Sequence, residues 1–221
     1  KGRVWDTASA EMVFETPAID FYSSAAFHPN GNVVALGASP ISKLEWGKVE
    51  LWDIVKRTQV SDPLMSKGQA TQGRMRFSHS GRMLAVGTFR GNVTVWEFPT
   101  GAKLLESSTG VPAQTIVLNV EFSHDDRRLA VTSFDNSTKL GKLTMFDLPP
   151  MERAAPMWLA ELAEVVANRR IDENGDSVSV TQSGLEAIRK AVGASDDNDL
   201  YGDWGRWFLE NPDRRTSSPW G

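Results

Sequence analysis

Apolar and polar positions alternate along the first two-thirds of the chain, in short runs that recur. The run "FHPNGNVVALG" at 27–37 returns as "FSHSGRMLAVG" at 77–87 and, more loosely, as "FSHDDRRLAVT" at 122–132. Each copy is followed by a second shared phrase: "GKVELWD" at 47–53, "GNVTVWE" at 91–97 and "GKLTMFD" at 141–147. The opening "GRVWD" at 2–6 is a fourth occurrence of that phrase. Val93 and Val95 fall on one face of such a run and Thr94 and Trp96 on the other, the period-two pattern of a short strand. The "HPNG" and "SHSG" segments supply Asn and Gly, which tolerate the positive φ of a tight hairpin turn. Each unit therefore predicts strand, tight turn, strand, variable loop, strand, polar turn, strand.

The repeat has a length that limits the architecture. Trp5, Trp52, Trp96 and Phe146 are equivalent, at steps of 47, 44 and 50 residues. Phe27, Phe77 and Phe122 are equivalent at the end of the first strand. These seven aromatics are the expected packing residues between sheets. A period of about 40–45 residues is that of a propeller blade. Phe-Ser-x-x-Gly, Leu-Ala-x-Gly and a Trp-Asp strand together resemble the WD-repeat β-propeller family, over residues 1–148. The resemblance implies a mainly β fold, a partial propeller of about three four-stranded blades plus an opening strand. The Gly-His dipeptide expected before each inner strand is absent, and Arg90 stands where an acidic residue is expected. The side-chain hydrogen-bond network of the family is therefore not expected, and apolar packing is expected to carry more of the stability.

Three units and an opening strand are too few for a ring of about four to eight blades. The chain reads as the C-terminal part of a longer protein, with an edge at residues 1–6 that leaves backbone groups unpaired. After "LTMFD" comes "LPP", and no fourth strand is predicted in the last unit. In closed WD-repeat propellers, the resemblance implies, that outer strand is often supplied from the N-terminal end.

Past Pro149, Pro150 and Pro156 the pattern changes from period two to a helical period. Residues 149–156 form a Pro-rich linker, and 157–221 a helical extension expected to dock on the propeller. Trp158, Leu162, Val165 and Val166 fall on one face of a first helix, with Pro156 suited to its first turn. A second helix is predicted from Ser183 to Val192, and a third over "DLYGDWGRWFLENP", with Trp204, Trp207 or Phe208 reaching a groove on the last blade or the first tail helix. Gly202 and Gly205 weaken that third helix by about 1 kcal/mol each relative to Ala. The tail is similar to the end of large bacterial proteins in which WD repeats follow a serine/threonine kinase domain. Residues 1–221 themselves contain no Gly-rich phosphate loop and no His-Arg-Asp segment.

Composition narrows the function classes. A chain of 221 residues with 40% hydrophobic and 24% charged residues is ordinary for a folded protein. No apolar run approaches the ~20 residues of a membrane span and no signal peptide is visible, so no membrane contact is expected, and the lack of cysteine fits the expected cytoplasmic location. Zero cysteines exclude disulfides and thiol chemistry. Residues 1–150 carry 16 basic and 15 acidic residues, net +1, and residues 151–221 carry 8 and 13, net −5, together the −4 of the chain. No basic cluster interleaved with aromatics appears, so nucleic acid is not an expected partner.

Three candidate sites fail on their chemistry. In "DENGDSVSVTQS" at 172–183, Asp172, Asn174 and Asp176 match calcium-loop positions, but Ser177 replaces the Gly and Ser183 the bidentate Glu. An acidic turn between helices is expected instead. His28, His79 and His124 recur in equivalent hairpins, where neighbouring turns are expected to lie too far apart for metal bonds of ~2 Å and the rings to face solvent. No nucleophile–base motif is present. No catalytic residue, cofactor or metal is therefore assigned.

The loop after the second strand of each unit is the informative departure. It is tight in the middle unit, "GTFRG", but long in the first, "GASPISKLEWG" at 37–47, and in the third, "TSFDNSTKLG" at 132–141. Ile41, Leu44, Trp46, Arg90 and Phe134 are the candidate partner-binding residues on these loops. Trp46 either packs over its own blade or is an exposed anchor of the kind enriched at interaction hot spots. The expected function is a non-catalytic protein-interaction scaffold; the alternative is a substrate-recruiting or regulatory segment of a bacterial kinase-like protein.

Overall fold

In the computed structural model each repeat becomes one antiparallel sheet. The structure describes residues 1–17, 21–39, 46–67, 74–110, 114–149, 151, 155–180, 184–195 and 199–220. The chain divides into two units, Lys1–Pro149 and Pro150–Gly221. The first unit begins with β1 (Arg3–Trp5) and β2 (Met12–Glu15), so the expected opening strand is a two-stranded hairpin. The first complete sheet follows: β3 (Phe21–Phe27), β4 (Val33–Ser39), β5 (Trp46–Asp53), and an outer strand in two pieces, β6 (Thr58–Gln59) and β7 (Leu64–Lys67), both paired with β5. The second sheet is the four-stranded meander β8 (Met75–Phe77), β9 (Met83–Gly87), β10 (Asn92–Glu97) and β11 (Lys103–Ser108). The third has three strands, β12 (Thr115–Phe122), β13 (Arg128–Asp135) and β14 (Leu140–Asp147).

The inner strands make the sheets a series: β8 lies against both β3 and β12. That is the side-by-side order of propeller blades. Alternation then assigns each strand face a direction. Val49 and Leu51 of the first sheet pack on Phe77, Leu84, Val86 and Trp96 of the second. On the opposite face Trp52, Val34 and Leu36 pack on Phe14 of the opening hairpin, with the Phe14 and Trp52 rings 5.6 Å apart. Residues at the Val49 and Leu51 positions thus look forward to the next sheet, and those at the Trp52 position look back. A one-residue slip in register would exchange the two sets. Each such buried side chain contributes about 1.5–3 kcal/mol.

The same rule corrects two expected packing residues. Trp52, Trp96, Phe77 and Phe122 are buried and Phe146 is half-buried, but Trp5 is 56% and Phe27 53% exposed. Trp5 looks back from the opening hairpin and Phe27 from the first complete sheet, which has only that two-stranded hairpin behind it among the described residues. The other end mirrors this. Leu143 and Met145 are 64% and 53% exposed, whereas their equivalents Val49, Leu51, Val93 and Val95 are buried, the first two against the following sheet.

The second unit has its own core. Helix α1 (Met157–Ala167) starts after Pro156 and ends at Asn168, which adopts the left-handed conformation at φ 54°. A short hairpin, β15 (Arg169–Ile171) and β16 (Ser177–Ser179), takes the place of the plain acidic turn expected there. The Asp172 carboxylate accepts the Asn174 and Asp176 amides, both at 2.9 Å, which closes that hairpin. Helices α2 (Leu185–Gly193) and α3 (Leu200–Leu209) complete the unit, and the Asp199 side chain caps α3 by accepting from the Tyr201 amide. Trp158, Leu162, Val165, Ile188, Val192 and Tyr201 form the core, with Trp204 and Phe208 packed on it. Val166 is exposed, because the helix turns it away from the face that Val165 buries. Gly205, expected only to weaken α3, is a contact point: a Cβ there would lie 2.7 Å from the Trp158 ring and 3.0 Å from Val192.

Candidate partner-binding face

Strand direction sorts the connections of residues 1–149 into two ends. The turns at 28–32, 78–82 and 123–127 lie at one end of the sheets, each joining the first two strands of its unit. The loops at 88–91 and 136–139 lie at the other, with the end of β4 and the start of β5. The two ends are built differently.

At the turn end each hairpin is fastened to the next. His28 places Nε2 3.1 Å from the Gly81 carbonyl, and its ring packs 5.1 Å from Phe77 and 4.9 Å from Phe98. Gly31, Gly81 and Asp126 are equivalent, and all three have positive φ, at 77°, 76° and 58°. At Gly81 two demands coincide, since any Cβ would run into the His28 ring. In the third unit Asp126 takes the glycine's place, and its carboxylate accepts the amides of His79 and Ser80, both at 2.8 Å. Burial pushes the Asp126 carboxyl up, but hydrogen bonds from Ser80 and His79 outweigh it and hold the pKa below the usual value.

These contacts correct the expected distance between turns. The His79 and His124 rings meet edge to face at 5.3 Å, and His28 is half-buried rather than solvated. Among the described residues no group of three or more His, Cys, Asp or Glu side chains is placed to hold a metal ion. No helix among them is long and apolar enough to cross a membrane.

At the loop end the backbone is held while side chains stay accessible. Thr88 Oγ1 accepts from the Arg90 and Asn92 amides, and Thr109 donates its amide and its hydroxyl to the Gly91 carbonyl at 2.8 and 3.0 Å. The Arg90 side chain projects from this turn into solvent. In the third loop Asp135 accepts the Ser137 and Thr138 amides at 2.7 and 3.1 Å, and Phe134 stands half-buried just before it, opposite Gly141. Ile41 and Leu44 lie outside the described residues. Of Trp46 the structure describes only its backbone, at the start of β5 opposite Lys67. Arg90 and Phe134 therefore share one end of the sheets.

A buried polar network, not expected from the sequence, lies behind the first sheet. The Glu50 carboxylate accepts from Tyr22 Oη at 2.7 Å and Trp52 Nε1 at 3.1 Å, and pairs with Lys48 Nζ at 2.8 Å. Burial raises its pKa, and these donors more than reverse that, so the carboxyl is lowered. Lys48, Glu50 and Trp52 alternate on one strand face, a signal visible in "KVELW"; Tyr22 comes from another strand and was not predictable. Asp126 was equally hidden, since nothing in "FSHDD" shows that the acid reaches the preceding turn.

No protein-family model matches the chain. Two curated relatives named telomerase protein component 1 are similar to it. The protein from Mus musculus is 27% identical over 139 residues, 62% of this chain and 5% of the relative. The protein from Rattus norvegicus is 25% identical over 183 residues, 82% of this chain and 6% of the relative. The chain thus spans a small fraction of the length of these relatives. Among solved structures, the β-propeller domain of Cps50 (Swd1) from Myceliophteria thermophila is 17% identical with a TM-score of 0.43, covering 63% of this chain and 43% of that one.

Proposed function

We propose that residues 1–149 act as a non-catalytic protein-interaction platform that receives its partner on the loop end. The observation that carries this reading is the difference between the two ends. Side chains at the turn end are consumed in unit-to-unit contacts, as His28 and Asp126 are. Backbone hydrogen bonds hold the loop end while Arg90 remains free to reach a partner. A rigid frame that presents variable loops is the usual support for recognition. The partner is a protein, and the platform works in the cytoplasm.

A narrower form of this reading rests on the resemblance of "DWGRWFLENPDRRTSSP" to kinase-linked bacterial proteins: the platform recruits substrates to a kinase domain elsewhere on the polypeptide. Site-specific photo-crosslinking in cells tests the platform. A crosslinker at Phe134 should yield discrete protein adducts that the Arg90→Glu background reduces. Equal adduct formation from Asn30, at the turn end, would overturn the assignment of the face.

A further inference from the structure

Cations gather around the 88–91 turn. Arg90 projects from the turn itself and is exposed. Arg74 stands beside it, just before β8: its carbonyl accepts from the Gly87 amide at 2.8 Å, and its Nε donates to the Val117 carbonyl at 3.1 Å. Val117 in turn donates its amide to the Thr88 carbonyl. Lys142 of β14 arrives from the third sheet. Its Nζ donates to the carbonyl of Thr109 at 3.2 Å, the residue that holds Gly91. Two sheets therefore bring three positive side chains to one turn.

No negative charge offsets them locally. Elsewhere in residues 1–149 cations meet carboxylates: Arg76 with Glu121 at 3.0 Å, Lys56 with Asp53 at 3.4 Å and Arg128 with Asp147 at 3.6 Å. Among the described residues Arg74, Arg90 and Lys142 form no ion pair. The carboxylate of the third loop, Asp135, is already engaged by the Ser137 and Thr138 amides and the Ser137 hydroxyl. Like charges held together in this way repel one another and weaken the compact state, and a partner of opposite sign removes that cost.

We infer that the loop end receives an acidic protein segment, whose carboxylates meet Arg74, Arg90 and Lys142. This rests on the platform proposed above and names the chemistry of what it binds. The carbonyl contacts of Arg74 and Lys142 hold both side chains near the turn before a partner arrives, which lowers the ordering cost of binding. Most of their guanidinium and ammonium donors remain to be filled. Carboxylates fill such donors with charge-assisted hydrogen bonds, bidentate at an arginine. Complementary charge of this kind also selects the partner and speeds its approach. A polynucleotide fits less well, because it needs a basic track and exposed rings on which bases stack. Here Phe89 and Phe134 are half-buried, and 16 basic against 15 acidic residues leave 1–150 at only +1.

Binding of labelled peptides to the full chain, read by fluorescence anisotropy and mapped by amide NMR shifts, tests this. A peptide alternating Glu and Leu should bind, more weakly as salt is added, and should shift the amides of 88–91, Thr109 and Lys142. Its counterpart alternating Gln and Leu should bind roughly tenfold more weakly or worse. Arg90→Glu and Lys142→Glu, both at exposed positions, should each weaken the acidic peptide roughly tenfold. Arg90→Lys keeps the charge and should retain most of the affinity. No binding of the Glu peptide, equal binding of the Gln peptide, or shifts confined to the turns at 28–32 and 78–82 overturns the inference. So does tighter binding of a single-stranded oligothymidine of equal charge at the same amides, since the site would then be one for nucleic acid. Failure of the platform itself looks different. Discrete adducts from Phe134 with a Glu peptide that does not bind overturn the acidic partner and leave the platform standing; absence of adducts removes both.

Discussion

Gly31 and Gly81 occupy the same place in successive turns, with φ of 77° and 76°, and differ only in their neighbours. No heavy atom stands within 4 Å of a Cβ built at Gly31, whereas one built at Gly81 runs into the His28 ring. Gly31→Ala should therefore show the conformational cost alone, about 1–2 kcal/mol for an L-residue held in the left-handed region. Gly81→Ala has that cost and also drives His28 out. The hydrogen bond to the Gly81 carbonyl is lost, worth about 0.5–1.5 kcal/mol, together with ring contacts to Phe77 and Phe98 of similar size each. The second variant should be less stable than the first by about 2–3 kcal/mol. Urea denaturation followed by tryptophan fluorescence measures both. In a His28→Ala background the excess should vanish, and Gly81→Ala should cost no more than Gly31→Ala. Equal midpoint shifts for the two glycine variants in the native background would refute the turn-to-turn contact.

Three further outcomes are expected. Trp96→Ala should lower stability by about 3–5 kcal/mol, while Trp5→Ala changes it by less than about 0.5 kcal/mol; equal effects in urea would contradict the forward and backward faces. The Asp126 carboxyl is lowered on folding, so its contribution is full above the unfolded value near 3.8 and is lost as pH falls through the folded one. The stability gap between the native chain and Asp126→Asn should accordingly shrink as pH is lowered toward that range, and a gap independent of pH would show that the carboxylate makes no difference. Gly205→Ala should destabilise the helical unit because the added methyl meets Trp158 and Val192, whereas a gain of about 1 kcal/mol, the propensity advantage of Ala, would place that residue away from the helix contact.

The repeat was legible because each blade is local: alternation, turn glycines and a period near 45 residues all lie within one stretch of chain. The sheet order followed from them, and so did the burial of Trp52 and Trp96. Contacts between units were not legible, since equivalence says that two residues occupy the same place but not what stands beside that place. Trp5 and Trp96 share a phrase, yet Trp5 has no sheet behind it among the described residues and is exposed. Asp126 looks like an ordinary turn acid until the neighbouring turn is set beside it. In the tail, period alone could not separate Val165 from Val166, because a helix face is wide enough to admit either until its partner helix is known. Of the candidate face, the shared end of Arg90 and Phe134 followed from topology, while the anchoring of the Arg90 turn by Thr109 depends on a link eighteen residues away.

Hydrogen exchange at the His79 and Ser80 amides tests the locked turn end most directly. Both donate to the Asp126 carboxylate of the next unit. They should exchange about as slowly as the amides of β9, and Asp126→Ala should speed them without changing exchange in β9 itself. Exchange at the rate of a free, solvated turn in the native chain would contradict a frame held together turn by turn.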